Sequence, residues 1–113
     1  MEQISFEDFK KAEIRVGKII AAEVIESSNK LLKLQVDFGN DEEGKPVQRQ
    51  ILAGIAKFYQ PELLIGKLCP FVINLAPKMM GELESRGMIL CADDQGPVLL
   101  HPDKDIQPGS IVK

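Results

Sequence analysis

Leu32-Lys33-Leu34-Gln35-Val36-Asp37-Phe38 is the stretch that decides the fold of this chain. Leu32, Leu34, Val36 and Phe38 fall on one side of an extended backbone, and Lys33, Gln35 and Asp37 fall on the other. This alternation predicts a half-buried β-strand with one face in a core and the other in water. The polar run Gly39-Asn40-Asp41-Glu42-Glu43-Gly44-Lys45-Pro46 then turns the chain back antiparallel, and Val47 to Ala53 makes a third strand with Arg49 between Gln48 and Gln50. Upstream, between Glu13 and Val24, Ile14 and Val16 alternate with Arg15, Gly17 interrupts, and Ile19, Ile20, Ala22 and Val24 follow. A glycine inside a long strand predicts a bulge or sharp bend. The first strand of a small closed barrel needs such a bend, because it pairs with neighbours on both sheets.

Downstream the period changes. Gly54-Ile55-Ala56-Lys57-Phe58-Tyr59 is followed by Pro61-Glu62-Leu63-Leu64-Ile65-Gly66, with proline near a helix start and glycine after its end. A short helix is expected there, and Leu68 to Leu75 and Ser85 to Ala92 complete five strands. At the N-terminus Ser5 followed by Asp8 is a weak capping box, opening a short helix through Phe6, Phe9 and Lys10. Its two phenylalanines share a face and are expected to pack on the barrel. Three strands, a helical crossover and two more strands is the order of an OB-fold, an all-β five-stranded Greek-key barrel. A β-sandwich wants about seven strands. One domain over residues 1–113 is expected, with the barrel at about 13–92 and an extension at about 93–113. Two short apolar runs lie in that extension, between Val98 and Val112.

Composition narrows the function classes. Apolar residues at 44% with 27% charged suit a folded chain, so disorder is not the default. No apolar run approaches the ~20 residues of a membrane helix. Met1-Glu2-Gln3 lacks a signal peptide's basic start, and a cytoplasmic, membrane-free protein is expected. Cys69 and Cys91 each sit in an apolar run, as buried free thiols do. Fourteen basic against seventeen acidic residues give net −3. A dedicated nucleic-acid binder usually has a basic face or a pI above ~9. The acids are clustered, however, at Asp41–Glu43 and at Asp93, Asp94, Asp103 and Asp105. Lys30, Lys33, Arg49, Lys78 and Arg86 lie where acids are fewer, so a local basic patch fits, with modest and salt-sensitive binding.

Enzyme chemistry has little support in the sequence. His101 stands alone beside Pro102, and no Cys-x-x-Cys pair, P-loop or nucleophile elbow occurs. Glu82 and Glu84 read as a solvated edge, and no metal-ligand set is present. A non-catalytic binding module without cofactor is expected. Its most informative groups are in Asn74-Leu75-Ala76-Pro77-Lys78-Met79-Met80-Gly81 and Glu84-Ser85-Arg86-Gly87-Met88-Ile89-Leu90-Cys91-Ala92. An apolar strand ends at Asn74, a short irregular segment carries Lys78, and a second strand opens with Ser85 and Arg86. Amide, ammonium, hydroxyl and guanidinium at one rim can hydrogen-bond phosphates and ribose hydroxyls.

These two segments resemble the tRNA-binding OB domain found free-standing and also appended to methionyl-tRNA synthetase. That family usually reads Asn-Leu-x-Pro-Arg/Lys, then Ser-x-Gly-Met before a small and aliphatic strand. Ser28-Asn29-Lys30-Leu31-Leu32-Lys33-Leu34 is similar to its loop and second strand, and Arg49 to Gly54 to its third. The resemblance implies tRNA contacts at Asn29, Lys30, Lys33, Asn74, Lys78, Ser85, Arg86 and Met88. It also implies a homodimer built on the N-terminal helix and the C-terminal extension, and a partnership with an aminoacyl-tRNA synthetase. Arg49 is read as a solvated strand face. Many relatives carry two adjacent basic residues where this chain has Lys78-Met79, and Glu82 adds an acid nearby. That departure bears on the strength of binding.

Two other classes stay open. One is a chaperone-like protein binder, since a bacterial family of the same fold is linked to export of unfolded chains. Those relatives tend to lack an extension like Val98 to Val112, which tells against it. The other is a general single-strand binder stacking bases on aromatics. Five phenylalanines and Tyr59, mostly at core positions, make a poor stacking platform, so shape and backbone recognition of folded RNA is favoured. Met1 followed at once by a helix suggests a free-standing protein or a separately encoded subunit.

Overall fold

The computed structural model describes all residues from Met1 to Lys113. After α1 (Phe6–Lys10) the chain is mostly strand: β1 (Ile14–Ile25), β2 (Ser28–Asn40), β3 (Pro46–Ala53) and β4 (Leu68–Val72) come first. Six short strands follow, namely β5 (Lys78–Met80), β6 (Leu83–Ser85), β7 (Met88–Ile89), β8 (Cys91–Asp93), β9 (Pro97–Leu99) and β10 (Ile111–Val112). One curled antiparallel sheet in the order β3-β2-β1-β4-β7 forms a half-barrel, and β5–β6 and β8–β9 are separate hairpins.

The alternation in β2 produces the core. Leu32, Leu34 and Val36 are fully buried, and Phe38 meets Phe71 edge to face at 5.5 Å between ring centroids. Ile19, Ile51, Leu64, Cys69 and Phe71 are also fully buried, each large aliphatic or aromatic side chain contributing about 1.5–3 kcal/mol. β1 passes between two partners as expected, pairing with β4 over Ile14–Lys18 and with β2 over Lys18–Ile25. The bulge, however, lies between Ile19 and Ala21. Gly17 serves packing instead: a Cβ there would stand 2.7 Å from Cε1 of the Phe38 ring.

Several expectations are corrected. Between β3 and β4 there is only a 3-10 turn, Pro61–Leu63. The reason lies in β1: Ile19 at the bulge takes the Gly66 N–H on its carbonyl at 2.7 Å and gives its own N–H to Lys67 at 2.9 Å. Those bonds end the helical turn before a second one can form. Ser5 caps α1 as expected, accepting from the Asp8 N–H at 3.0 Å. Yet Phe6 and Phe9 do not pack on the sheet, remaining 69% and 43% exposed. The helix has five residues and no buried one, and Lys10 lies over the Phe6 ring. β4 stops at Val72, the segment carrying Lys78 is strand β5, and the expected fifth strand is divided among β6, β7 and β8.

The ladder does not run fully round the curl. Between β3 and the β6–β7 segment the link includes Arg86 N–H to the Gln50 carbonyl (2.9 Å), Gln50 Nε2 to the Glu84 carbonyl (3.0 Å) and Leu52 N–H to Ser85 Oγ (3.0 Å). The C-terminal extension joins the main sheet. Ile14 pairs with Val72 on β4 and with Val112 on β10, and Val16 exchanges backbone hydrogen bonds with Gly109 and Ser110. His101 adds a further tie, its Nδ1 lying 3.1 Å from the Leu68 carbonyl. No helix is long and apolar enough to cross a membrane.

Candidate nucleic-acid interface

The outer face of β2 and β3 carries Lys33, Gln35 and Asp37 opposite Leu52, Gln50 and Gln48 in register. Over it folds the β5–β6 hairpin, in which Lys78 pairs with Ser85 and Met80 with Leu83. Hairpin and strand together enclose a cleft of about 380 Å³ lined by Leu52, Leu75, Lys78, Ser85, Gly87 and Met88. A second hollow, of about 630 Å³, lies between the β1–β2 hairpin (Ile25, Ser28) and the β5–β6 hairpin (Gly81, Glu82). Met80 lines both. In OB-folds the face of strands 2 and 3, flanked by the loops after strands 1 and 4, is where oligonucleotides bind.

Lys78, Ser85 and Met88 are therefore brought together. Lys78 is exposed and has no carboxylate within 4.0 Å among the ion pairs of the chain. Met88 offers an apolar patch at 46% exposure. Ser85 is different in kind. It is 3% exposed, and its hydroxyl accepts from the Leu52 N–H and donates to the Gly87 carbonyl at 3.1 Å. That hydroxyl is committed to holding the hairpin on β3, and it positions Lys78 and Arg86 on either side. Gly87, at φ 143°, continues the chain inward: a Cβ there would stand 3.1 Å from the Val72 carbonyl oxygen.

Asn74 is likewise committed. Its Oδ1 accepts from the Glu13 N–H at 2.8 Å and its Nδ2 donates to the Lys11 carbonyl at 2.6 Å. The amide fixes the link between α1 and β1 to the end of β4. Lys33 keeps its place on the wet face but is held by Glu23 at 2.8 Å, a cross-strand pair on β1. Asn29 and Lys30 are exposed at the start of β2, outside both hollows, and Lys30 has no ion-pair partner.

Arg49 is the residue that sequence reasoning passed over. It pairs in register with buried Val36 and so points to the core side of the sheet, at its end. There Nη1 donates to the Ile73 carbonyl and, at 3.4 Å, to the Arg86 carbonyl. Burial pushes its pKa below the usual arginine value, the charge of Arg86 pushes the same way, and Glu13 pushes back. The signal in the sequence was parity: counting back from buried Ile51 puts Arg49 on the inner face.

A curled β-sheet offering a largely apolar cleft with Lys78 on its flank defines an OB-like binding domain. The chain belongs to the family described as "Putative tRNA binding domain", whose profile matches residues 14–111. It is 47% identical over 112 residues to the methionine–tRNA ligase of Archaeoglobus fulgidus, a match covering 98% of this chain and 16% of the ligase. The chain thus spans about one sixth of the curated relatives it matches. Among solved structures, a MetRS-related protein from Pyrococcus horikoshii superposes with a TM-score of 0.88 at 38% identity, covering 100% of both chains. The chaperone CsaA of Bacillus anthracis gives 0.85 at 31%, covering 99% of this chain and 100% of its own. The C-terminal extension therefore does not set this chain apart from the chaperone, as the sequence had suggested.

Proposed function

We propose that this chain is a non-catalytic tRNA-binding module that recognises RNA shape and backbone, with the five strands expected from the sequence forming an OB barrel closed along the β3–β6 seam. The observation that carries it is Lys78, an exposed ammonium without a carboxylate partner, on the flank of the cleft over the β2–β3 face. Lys30 and Lys33 extend the basic path along β2, Met88 offers an apolar contact, and Ser85 and Asn74 act by positioning. Backbone contacts of this kind carry little sequence information, so tRNAs as a class are the ligand. Its biological setting is the cytoplasm, alone or in trans with an aminoacyl-tRNA synthetase of the methionyl type.

The same reading includes a homodimer. Phe6, Phe9, Leu100, Ile106 and Ile111 stay exposed on the terminal segments, and a hollow of about 400 Å³ lined by Val16, Pro70, Leu100, Ile106, Ile111 and Val112 lies among them. A second copy covering these groups would present two basic faces to one bent RNA. A second functional reading, protein binding, is favoured by the exposure of Leu75 and Met88 along the cleft and by the likeness to the chaperone CsaA. Gel-shift competition separates the readings. Bulk tRNA should displace labelled tRNA where poly-pyrimidine DNA and an unfolded protein do not; displacement by the unfolded protein at equal concentration would favour the chaperone reading.

A further inference from the structure

We propose that Arg49 and Arg86 together form a phosphate-binding subsite at the end of the half-barrel, beyond the cleft that contains Lys78. The inference rests on the tRNA-binding reading and extends its footprint to a residue that the surface pattern does not reveal. Arg49 reaches from β3 across to Ile73, just past the end of β4, and touches the backbone of Arg86. Only Nη1 is used within the chain, and Nε and Nη2 make no hydrogen bond there. A guanidinium has five N–H donors in a fork that matches two oxygens of a phosphate.

The charges around the pair are unbalanced. No carboxylate lies within 4.0 Å of Arg49. Glu13, the acid that acts on it, is already held by Arg15 at 2.8 Å. Glu84 stands 4.0 Å from Nε of Arg86, with both side chains about half exposed, and screens it weakly. A plain strut between β3 and β4 would need a donor but not a second cation beside it. Arg49 lies against the backbone of Arg86, whose charge lowers the Arg49 pKa, and no carboxylate pairs with Arg49; an anion within reach of both side chains removes that opposition. No carboxylate of this chain pairs with Arg49, so the geometry points to an anion from the ligand, and in a tRNA binder that is a backbone phosphate.

The test is tRNA binding measured from low to moderate salt for the wild type, Arg49→Gln, Arg86→Gln and the double variant. Each single change should flatten the slope of log K against log salt by about 0.7–0.9, the value for one phosphate contact. The double variant should lose less than the sum, because one phosphate is shared. In parallel, inorganic phosphate should raise the melting temperature of the wild type above that in chloride at equal ionic strength, and should not do so for the double variant. Arg86→Gln is exposed and retains the fold whatever Arg49→Gln does, and Arg49→Lys retains the charge but loses the fork. Unchanged slopes in tRNA-binding Arg86→Gln and Arg49→Gln would overturn the subsite, as would protection by free phosphate alone with no effect on tRNA. Absence of tRNA binding in the wild type would instead overturn the function on which the proposal rests.

Discussion

The Ser85 hydroxyl and the Lys78 ammonium lie on paired residues of one hairpin, yet they answer to different forces. Ser85→Ala leaves the Leu52 N–H buried without its acceptor, which should cost about 1–3 kcal/mol in urea unfolding. Any loss of tRNA binding in that variant follows from the displaced hairpin. Lys78→Ala should leave stability within about 0.5 kcal/mol while weakening all tRNAs alike. Lys45, exposed and 3.6 Å from Glu43 in the acidic turn after β2, is the control, and Lys45→Ala should not alter binding. Equal losses for Lys45→Ala and Lys78→Ala would place the RNA on another face. At Cys69 burial raises the thiol pKa to about 11, with Cys91 adding to the shift. Unfolded, the thiol ionises near 8.5. The unfolded state therefore binds fewer protons between those values, and stability should fall as pH rises from about 8.5 to about 11. Urea midpoints at pH 8 and 10.5 should differ more in the wild type than in Cys69→Ala.

At the scale of elements, the β5–β6 hairpin roofs the cleft but contributes little to the core, since only Ser85 of its residues is buried. Lys78 and Ser85 face each other, so replacing Met79–Glu84 by Asn-Gly closes a two-residue hairpin on an existing pair. The sheet should still fold by circular dichroism, while tRNA affinity falls about tenfold or more, roughly 1.4 kcal/mol. Retained affinity would show that the RNA does not enter the cleft. β1 depends on a different device. Gly17→Ala would drive a methyl into Val36 and the Phe38 ring where β1 passes from β4 to β2, and overpacking of this kind costs about 1–3 kcal/mol.

For the whole molecule, a net charge of −3 means that tRNA is not drawn in by a long-range field. Affinity must come from local cations, and coupling two copies raises it without new contacts. The terminal segments cannot simply be removed to test this, because β10 and Gly109 bond to β1. Ile111→Asp is the milder change, at a side chain 57% exposed in the single chain. Sedimentation should show a dimer at micromolar concentration for the wild type and a monomer for Ile111→Asp, with tRNA bound far more weakly by the latter. A wild type that stays monomeric at high concentration would remove the dimer from the proposal.

Periodicity alone determined the first three strands and the core they share. Leu32, Leu34, Val36 and Phe38 had to share a buried face because side chains alternate along an extended backbone, whatever surrounds them. Residue types suited to phosphate also cluster in the sequence at Asn74–Lys78 and Ser85–Met88. Which of those groups remain free was decided only by the tertiary structure. Ser85 is spent on Leu52, 33 residues away, and Asn74 on Glu13 and Lys11, 61 and 63 residues away. The helix expected before β4 became a single turn because its backbone was needed at the β1 bulge. Arg49 left the solvated face because inner-face parity carried it under Ile73 and Arg86. Local pattern records where a side chain points, but the demand that every buried donor and acceptor find a partner is met across the whole chain, and no window of sequence contains it.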